Sequence, residues 1–201
     1  MNQALSYTIA AIAGYLLGSI STGLIIAGTS SNVDLRKEGS KSTGATNVLR
    51  VLGKKPAAMT FVGDFLKVLL AMIIGSLLLG QYGAMVGGLA GVIGHNWPVY
   101  HQFKGGKGVA SSVAVMLYVF PVYGLIALLF FFVLVAISKY ISLGSMGMLS
   151  LFAVLVIAFN LNNWLVCLWA VALAALCIFR HRANIVRLLK GTENKLSLKG
   201  K

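Results

Sequence analysis

The sequence predicts an all-α, polytopic integral membrane protein, built as a seven-transmembrane-helix bundle in a single domain, 1–201. Composition is the first reason. Of the 201 residues, 58% are apolar and only 10% are charged, with a mean hydropathy of +0.88, whereas about a quarter of the residues of a soluble domain are charged. The second reason is that the apolar residues form long runs, with the basic residues between alternate runs. This pattern is typical of a chain that crosses a membrane repeatedly.

Seven apolar runs give the predicted spans: 5–27, 56–79, 84–100, 108–120, 122–138, 142–159 and 163–180. No small-residue cleavage site follows the first run, which favours a retained helix over a signal peptide. The fourth run has 13 residues and would reach about 20 Å as a helix, which is short for a hydrocarbon core of about 30 Å. Pro121 predicts the turn into the fifth span, because proline readily ends a helix.

The positions of the basic residues predict the orientation. Residues 1–33 contain no Lys or Arg, whereas 36–55 contain six, and cytoplasmic segments carry the excess of these residues. The N-terminus is therefore expected outside. Seven spans then place 101–107, 139–141 and the basic tail 181–201 on the cytoplasmic side. The outer connections "GQYG", "FPVY" and "NLNN" carry no charge, which an even number of spans would not explain.

The net charge of +13 indicates anionic partners. Because the cations cluster at the ends of apolar runs, they favour membrane topology and small anionic ligands over nucleic acid. Cys167 and Cys177 lie ten residues apart in the last run. A helix separates them by about 15 Å, too far for a disulfide, so they are expected to be packing residues.

The first polar cluster is "EGSKSTGATNVLR", 38–50, which ends in Arg50. Its small hydroxyl and amide residues alternate with Gly39 and Gly44. Such a loop can turn backbone N–H groups inward around an anion. It is not a P-loop, because Ala45 stands where that motif requires lysine. A solvated linker is the alternative.

The second cluster is "HNWPVYHQFKGGKG", 95–108. Its glycines allow the backbone to approach a ligand closely, and its lysines supply charge. His95 and His101 have no carboxylate nearby, which disfavours a metal site, and a hydrogen-bonded structural role is the alternative for both. The candidate ligand-binding residues are Lys104, Gly105, Gly106, Lys107 and Gly108.

Two further clusters follow near the end of the chain. "SKYISLGS", 138–145, offers Ser142 and Ser145, although alone it resembles an ordinary interfacial turn. In "FRHRANIVRLLKGTE", 179–193, His181 and Asn184 lie one helical turn apart and share a face. The alternative for this segment is a surface helix that binds anionic headgroups.

Asp64 and Lys67 lie inside the second span, in "GDFLK". Charges inside a membrane are costly and are usually paired or functional. Their i,i+3 spacing predicts an internal ion pair. A structural role is expected first, and a supporting role at the site second.

The polar clusters share cations, hydroxyls, amides and glycines, a set that suits phosphate. With only four Asp and Glu residues in the chain, several acidic ligands for magnesium are not available, so neither a metal nor another cofactor is expected. A membrane transporter of phosphate or a phosphorylated small molecule is the alternative. It is disfavoured because no internal repeat is present and the clusters fall on one predicted face. A lipid-binding anchor would explain the tail but not the glycine-rich loops.

The motifs resemble the bacterial membrane acyl-phosphate:glycerol-3-phosphate acyltransferase family, in order and over almost the whole chain. They are "GYLLGSISTG", "GSKSTGATNVLR", "GDFLK", "GHNWPVYHQFKGGKGVA", "SLGS" and "HRANIVRLLKGTE". The resemblance implies transfer of a fatty acyl group from acyl phosphate to the 1-hydroxyl of glycerol 3-phosphate, the first acylation of bacterial phospholipid synthesis, at the cytoplasmic face of the inner membrane. Membrane lipids and a cytoplasmic acyl-phosphate synthase are the implied partners. Lys41, Ser42 and Val68 depart from the family's usual residues, glycine, asparagine and glycine.

The resemblance also assigns residues to roles. Those implied in catalysis are His181, Asn184, Lys107 and Arg50. Those implied in phosphate binding are Ser40, Gly44, Thr46, Asn47, Lys104, Gly105, Gly106, Gly108, Ser142 and Ser145, with Asp64, Lys67 and His95 in support.

The mechanism differs from that of the common glycerolipid acyltransferases, which resemble an H-x4-D pattern. The residues five after the three histidines are Tyr100, Gly106 and Val186, and no G-x-S-x-G elbow is present. Direct attack by the glycerol hydroxyl is therefore expected, with catalysis from positioning and charge stabilisation. A substrate phosphate oxygen or His181 would accept the proton.

Overall fold

The computed structural model describes residues 2–31 and 33–196, and all regular elements in these ranges are helical. The helices are α1 Gln3–Gly18, α2 Thr22–Ser30, α3 Ala45–Leu52, α4 Lys54–Asn96, α5 Val109–Val119, α6 Pro121–Ser138, α7 Ile141–Phe159, α8 Trp164–Arg180 and α9 Arg182–Leu189. Two compact units contain them, Met1–Val119 and Phe120–Lys201, and each is described by itself. The single domain expected from the sequence stays a prediction.

Within the described ranges, four helical segments are long and apolar enough to cross a membrane. They are Gln3–Thr29, Lys54–His101, Pro121–Ser138 and Ile141–Phe159. A fifth is obtained if α8 and α9, which are bent by 59° at their junction, count as one span. The protein is therefore an all-helical integral membrane protein, while seven crossings and the predicted orientation stay predictions.

The predicted boundaries agree closely with the helices. The sequence separates its second and third spans at 80–83, and α4 is broken at Leu79 and Gly80. Gly80 has φ +58°, a left-handed conformation that favours glycine. The predicted first span is instead two helices, because residues 19–21 interrupt it between α1 and α2. The predicted fourth span is the short helix α5, with 11 residues.

In the first unit, α1 packs against α4 through small residues. A Cβ atom on Gly14 or Gly18 would collide with the backbone carbonyls of Gly87 and Gly91. Membrane helices associate through such close backbone contact, since lipid provides little hydrophobic force between them. The short helix α5 packs on the same long helix, so α4 is the scaffold of this unit.

A small apolar core fixes the loop between α2 and α3. It consists of Ala27, Leu35, Val48 and Ala57, all buried, with leucine and valine side chains of the same elements around it. Leu35 lies in the loop itself and is fully buried. The polar segment that follows Leu35 is therefore held against α3 and α4.

In the second unit, α7 packs between α6 and α8. The rings of Phe120, Phe152 and Trp169 form an aromatic core with centroids 6.3–6.4 Å apart. After α9 the chain turns back, and the N–H of Leu196 donates to the carbonyl of Lys139 (2.7 Å). This return brings Glu193, with only 7% of its surface exposed, into the unit.

Candidate functional site

The loop before α3 is organised by the buried side chain of Asn47. Its carboxamide contacts the carbonyls of Leu35 (3.2 Å), Glu38 (3.0 Å) and Ser42 (2.8 Å) and the N–H of Ser40 (2.7 Å). The Asn47 side chain therefore lies inside the predicted anion-binding loop and holds the loop backbone in place through these hydrogen bonds. Gly44 precedes the first turn of α3. Arg50, in the last turn of α3, is exposed.

An ion pair between Arg36 and Asp34 lies at the beginning of the same loop. The Arg36 guanidinium donates to Asp34 Oδ1 (2.9 Å). This hydrogen bond holds the pKa of Asp34 below its ordinary value. Lys41, where the family usually has glycine, has φ +57°, and a side chain is disfavoured in this conformation.

Residues 104–108, here termed the glycine loop, follow the end of α4. The N–H of Gly106 donates to the carbonyl of His95 (3.1 Å), and the His95 ring leaves no room for a Cβ atom on Gly106. Gly105, Gly106 and Gly108 are buried, whereas Lys104 is exposed and Lys107 is half-buried. Close packing therefore fixes the glycine backbone, and the lysine at its beginning reaches solvent.

A buried polar group lies against this loop. Lys67 Nζ is 2.8 Å from Asp64 Oδ1, which confirms the ion pair expected from their spacing. The same ammonium donates to the carbonyl of Ile20 (2.6 Å) and lies 3.1 Å from His95 Nδ1. Thr22 Oγ1 donates to Asp64 Oδ1 (3.1 Å). The fold thus joins three residues that the sequence placed in two separate motifs.

Asn96, the next residue along α4, was missed by the sequence reading. Its side chain is fully buried, and neither its Nδ2 nor its Oδ1 has a hydrogen-bond partner within residues 2–31 and 33–196. A Cβ atom on Gly108 would lie 2.9 Å from Asn96 Oδ1, so the carboxamide lies against the glycine loop.

In the second unit, Ser142 and Asn184 share a buried carboxylate. Glu193 Oε1 accepts hydrogen bonds from Ser142 Oγ (3.0 Å) and Asn184 Nδ2 (2.7 Å), and Oε2 accepts one from Arg187 Nε (2.7 Å). Burial raises the pKa of Glu193, but the three hydrogen bonds outweigh it and hold the pKa below its ordinary value. The sequence reading missed Glu193. The feature that could have identified it is its position, because Glu193 is an acidic residue in a strongly basic tail of a chain with only four Asp and Glu residues.

His181 lies at the junction of α8 and α9 and is buried. Its Nδ1 is 2.8 Å from the carbonyl of Cys177. Because a carbonyl only accepts, Nδ1 carries the proton, which leaves Nε2 as the basic nitrogen of the neutral ring. Cys177 Sγ is 3.8 Å from the carbonyl of Ser145, and Ser145 Oγ donates to the carbonyl of Ile141 (2.8 Å). Cys167 and Cys177 form no disulfide with each other.

Within each unit the predicted residues form local groups. Asn47 is bonded to Ser40, and Asp64, Lys67 and His95 form one group against the glycine loop. Ser142 and Asn184 meet at Glu193. Thr46 is half-buried, and Arg50 and Lys104 are exposed.

These features define a helical integral membrane protein whose glycine-rich and basic loops suit a phosphate-bearing ligand. The family model for glycerol-3-phosphate acyltransferase matches residues 8–191. A glycerol-3-phosphate acyltransferase of Thermoanaerobacter sp. (strain X514) is 48% identical over 189 residues, 94% of this chain and 95% of that protein. One from Clostridioides difficile (strain 630) is 46% identical over 203 residues, 96% and 97% of the two chains. The chain belongs to the glycerol-3-phosphate acyltransferase family.

Two crystal structures are also similar. Both are of PlsY (YgiH), an integral membrane glycerol 3-phosphate acyltransferase. The glycerol 3-phosphate form has a TM-score of 0.89 at 38% identity, and the lysophosphatidic acid form has 0.87 at 37%. Each match covers 96% of both chains.

Proposed function

We propose that this protein transfers a fatty acyl group from acyl phosphate to the 1-hydroxyl of glycerol 3-phosphate, giving lysophosphatidic acid and inorganic phosphate. The observation that carries the proposal is the match, over 96% of the chain, to PlsY in its glycerol 3-phosphate and lysophosphatidic acid forms. These two molecules are the acceptor and the product of one acylation. The chain would catalyse the first acylation of bacterial phospholipid synthesis.

We further propose seven transmembrane spans in the bacterial inner membrane, with the N-terminus outside and the active site at the cytoplasmic face. The break in α4 at Leu79 and Gly80 supports two spans within that helix. The cations at 36–55, 104–107 and in the tail support a cytoplasmic side for the polar loops. Acyl phosphate from a cytoplasmic synthase would then reach the site with its acyl chain in the lipid.

The phosphate groups are proposed to be bound by cations and backbone N–H groups. Arg50, Lys104 and Lys107 supply charge, and the glycine loop and the residues around Gly44 supply N–H donors. In the second unit, the residues proposed to make polar contacts with the substrates are Ser142, Ser145, His181 and Asn184. Asp64, Lys67 and His95 support the first set from inside the membrane segment.

The chemistry needs no covalent enzyme intermediate. The glycerol oxygen attacks the acyl carbon, the bond between that carbon and the phosphate oxygen breaks, and phosphate leaves with the electron pair. Acyl phosphate is a mixed anhydride with a good leaving group, so positioning and charge stabilisation supply the catalysis. We propose that a substrate phosphate oxygen accepts the hydroxyl proton. His181 Nε2 is the alternative acceptor on the protein.

The test uses purified protein in lipid nanodiscs with acyl phosphate, glycerol 3-phosphate and EDTA, and measures phosphate and lysophosphatidic acid. Acyl-CoA and acyl carrier protein donors are run in parallel. Product from acyl phosphate alone is expected, with loss in His181→Ala but not in the control His101→Ala. Activity only with another donor, or only with added metal, would refute the proposal. No product from any donor would instead favour transport.

A further inference from the structure

The buried group of Asp64, Lys67 and His95 is placed to control the glycine loop. We infer that the Lys67 ammonium holds His95 as the neutral tautomer with its proton on Nε2, and that His95 so held positions the glycine loop for phosphate. Lys67 and His95 act here as positioning residues. The inference rests on the proposed function for the consequence of this positioning, but the tautomer itself follows from geometry.

The hydrogen bonds around Lys67 determine the tautomer. An ammonium has three hydrogens and no acceptor, and three acceptors surround it. They are the Ile20 carbonyl (2.6 Å), Asp64 Oδ1 (2.8 Å) and His95 Nδ1 (3.1 Å). Because Nζ can only donate, Nδ1 must accept, and the ring hydrogen is on Nε2. A hydrogen on Nδ1 would point at the hydrogens of the ammonium, and a ring protonated on both nitrogens would also place a second positive charge beside it.

The competing partner of His95 Nδ1 is the Asp64 carboxylate, at 3.4 Å from Oδ1. This distance is longer than the 3.1 Å to Lys67 Nζ and lies beyond ordinary N–H···O hydrogen bonds. Asp64 Oδ1 is already bonded to Lys67 and to Thr22. The carboxylate therefore holds the ammonium, and the ammonium holds the imidazole.

His95 connects this group to the glycine loop through its backbone and its ring. Its carbonyl accepts the N–H of Gly106 (3.1 Å), and its Nε2 edge occupies the space that a Cβ atom on Gly106 would need. A rotation of the ring would therefore displace the backbone beside Lys107. Ser111 Oγ, in α5, donates to the carbonyl of Asp64 (3.2 Å), so the same group also anchors the helix that follows the loop.

The burial of these charges supports a role beyond stability. Asp64, Lys67 and His95 are exposed by only 1%, 8% and 5%. A buried ion pair contributes little net stability, and apolar residues of similar volume often serve as well. The need to fix the orientation of the His95 ring beside the glycine loop would explain why the Asp64–Lys67 pair is present.

The first experiment measures the tautomer directly. The protein is labelled with ¹⁵N-histidine in nanodiscs, and ¹⁵N NMR distinguishes protonated from unprotonated ring nitrogens. The chain has only three histidines, so His101→Gln and His181→Gln assign the signals. We expect His95 to show an unprotonated Nδ1 and a protonated Nε2. A proton on Nδ1, alone or together with Nε2, overturns the inference whether or not the protein is an acyltransferase.

The second experiment tests the positioning. Lys67→Met removes all three donors, whereas Lys67→Gln keeps two N–H donors without charge. Lys55→Met is the control, because it removes an exposed lysine from the same helix. In Lys67→Met we expect at least a tenfold rise in KM for glycerol 3-phosphate or acyl phosphate, with kcat changed less than threefold, and a mixture of His95 tautomers.

Lys67→Gln is expected to recover the Nε2–H tautomer and at least half of the change in KM. A Lys67→Met enzyme whose KM equals that of Lys55→Met overturns the positioning role. If Lys67→Met does not fold, the KM values and the His95 tautomer of Lys67→Gln test the positioning role instead. A wild-type tautomer signal with a KM raised more than tenfold would then also refute the mechanism, because the tautomer would be insufficient for phosphate binding.

Discussion

Replacement of Glu193 by glutamine tests how the end of the chain is held. The carboxylate accepts from Ser142 and Asn184 through Oε1 and from Arg187 through Oε2. Glutamine keeps the shape but replaces one acceptor oxygen by an NH₂ donor and removes the negative charge. The Arg187 guanidinium then faces a donor, and the other two hydrogen bonds lose their charge assistance.

The contacts give the expected magnitude. A hydrogen bond to a charged group contributes about 1.5–3 kcal/mol, and a neutral one about 1 kcal/mol, so each bond to Oε1 weakens by about 1 kcal/mol. The Arg187 side chain is 33% exposed, and solvent limits its pairing to about 1 kcal/mol. Glu193→Gln should therefore lower the free energy of unfolding by about 3 kcal/mol.

Thermal unfolding in detergent, followed by a thiol-reactive dye, measures this effect. Cys177 is buried in the same unit, so its modification reports unfolding of that unit. Cys167 is half-buried and is replaced by serine in every variant, because it could react in the folded protein. Glu38→Gln is the matched control, because Glu38 is exposed. Equal midpoints for Glu193→Gln and Glu38→Gln would refute the reasoning.

The difference in stability between the wild-type protein and Glu193→Gln has a defined pH dependence. The folded-state pKa of Glu193 lies below its ordinary value of 4.5, so its contribution to stability is present above that value and is lost as pH falls through the folded pKa. The difference in stability between wild type and Glu193→Gln should be constant near neutrality and shrink below pH 4.5. A difference that grows on acidification would contradict the assignment.

Three further substitutions test the packing. Asn96→Leu removes a buried carboxamide with no partner in the described ranges and should raise the free energy of unfolding by about 1 kcal/mol; a decrease of that size, measured by the loss of helical circular dichroism on heating, would contradict this. Gly18→Ala forces a methyl group against the Gly91 carbonyl, and we expect about 1–3 kcal/mol of destabilisation, measured by the loss of helical circular dichroism on heating. Gly106→Ala should displace the glycine loop from His95 and lower acyltransferase activity at least tenfold. Gly28→Ala, where a Cβ atom meets nothing within 4 Å, is the control for both, and equal effects would refute them.

The ends of the apolar helices could be predicted from the sequence because solvation by lipid depends on local composition. Uncharged polar residues at 80–83 marked the break in α4, and the i,i+3 spacing of Asp64 and Lys67 gave their ion pair. Both signals lie within a few residues along the chain. The interruption at 19–21 was not predicted, because an uncharged serine-rich turn hardly changes hydropathy.

The contacts within the candidate site depend on tertiary structure and could not be read from spacing. His95 meets Lys67 across 28 positions, and Ser142 meets Glu193 across 51. The family resemblance implied a phosphate-binding role for Asn47, and that role stays a prediction. In the structure the hydrogen-bond partners of its side chain are backbone groups of the same loop, up to 12 positions away, which no motif specifies.

Three of the four carboxylates of the chain form ion pairs, and this pairing bears on how the protein would attract its proposed substrates. Asp34, Asp64 and Glu193 each pair with a nearby cation in the described part of the chain. Asp64 and Glu193 are buried, so neither reaches the solvent through which a phosphate would approach. With 17 Lys and Arg residues against four Asp and Glu, most of the positive charge has no carboxylate to neutralise it. A cleft with charge of one sign raises the local concentration of counter-ions, so added salt should weaken the binding of both proposed phosphate substrates. KM values that are insensitive to ionic strength would show that hydrogen bonds alone hold the phosphates.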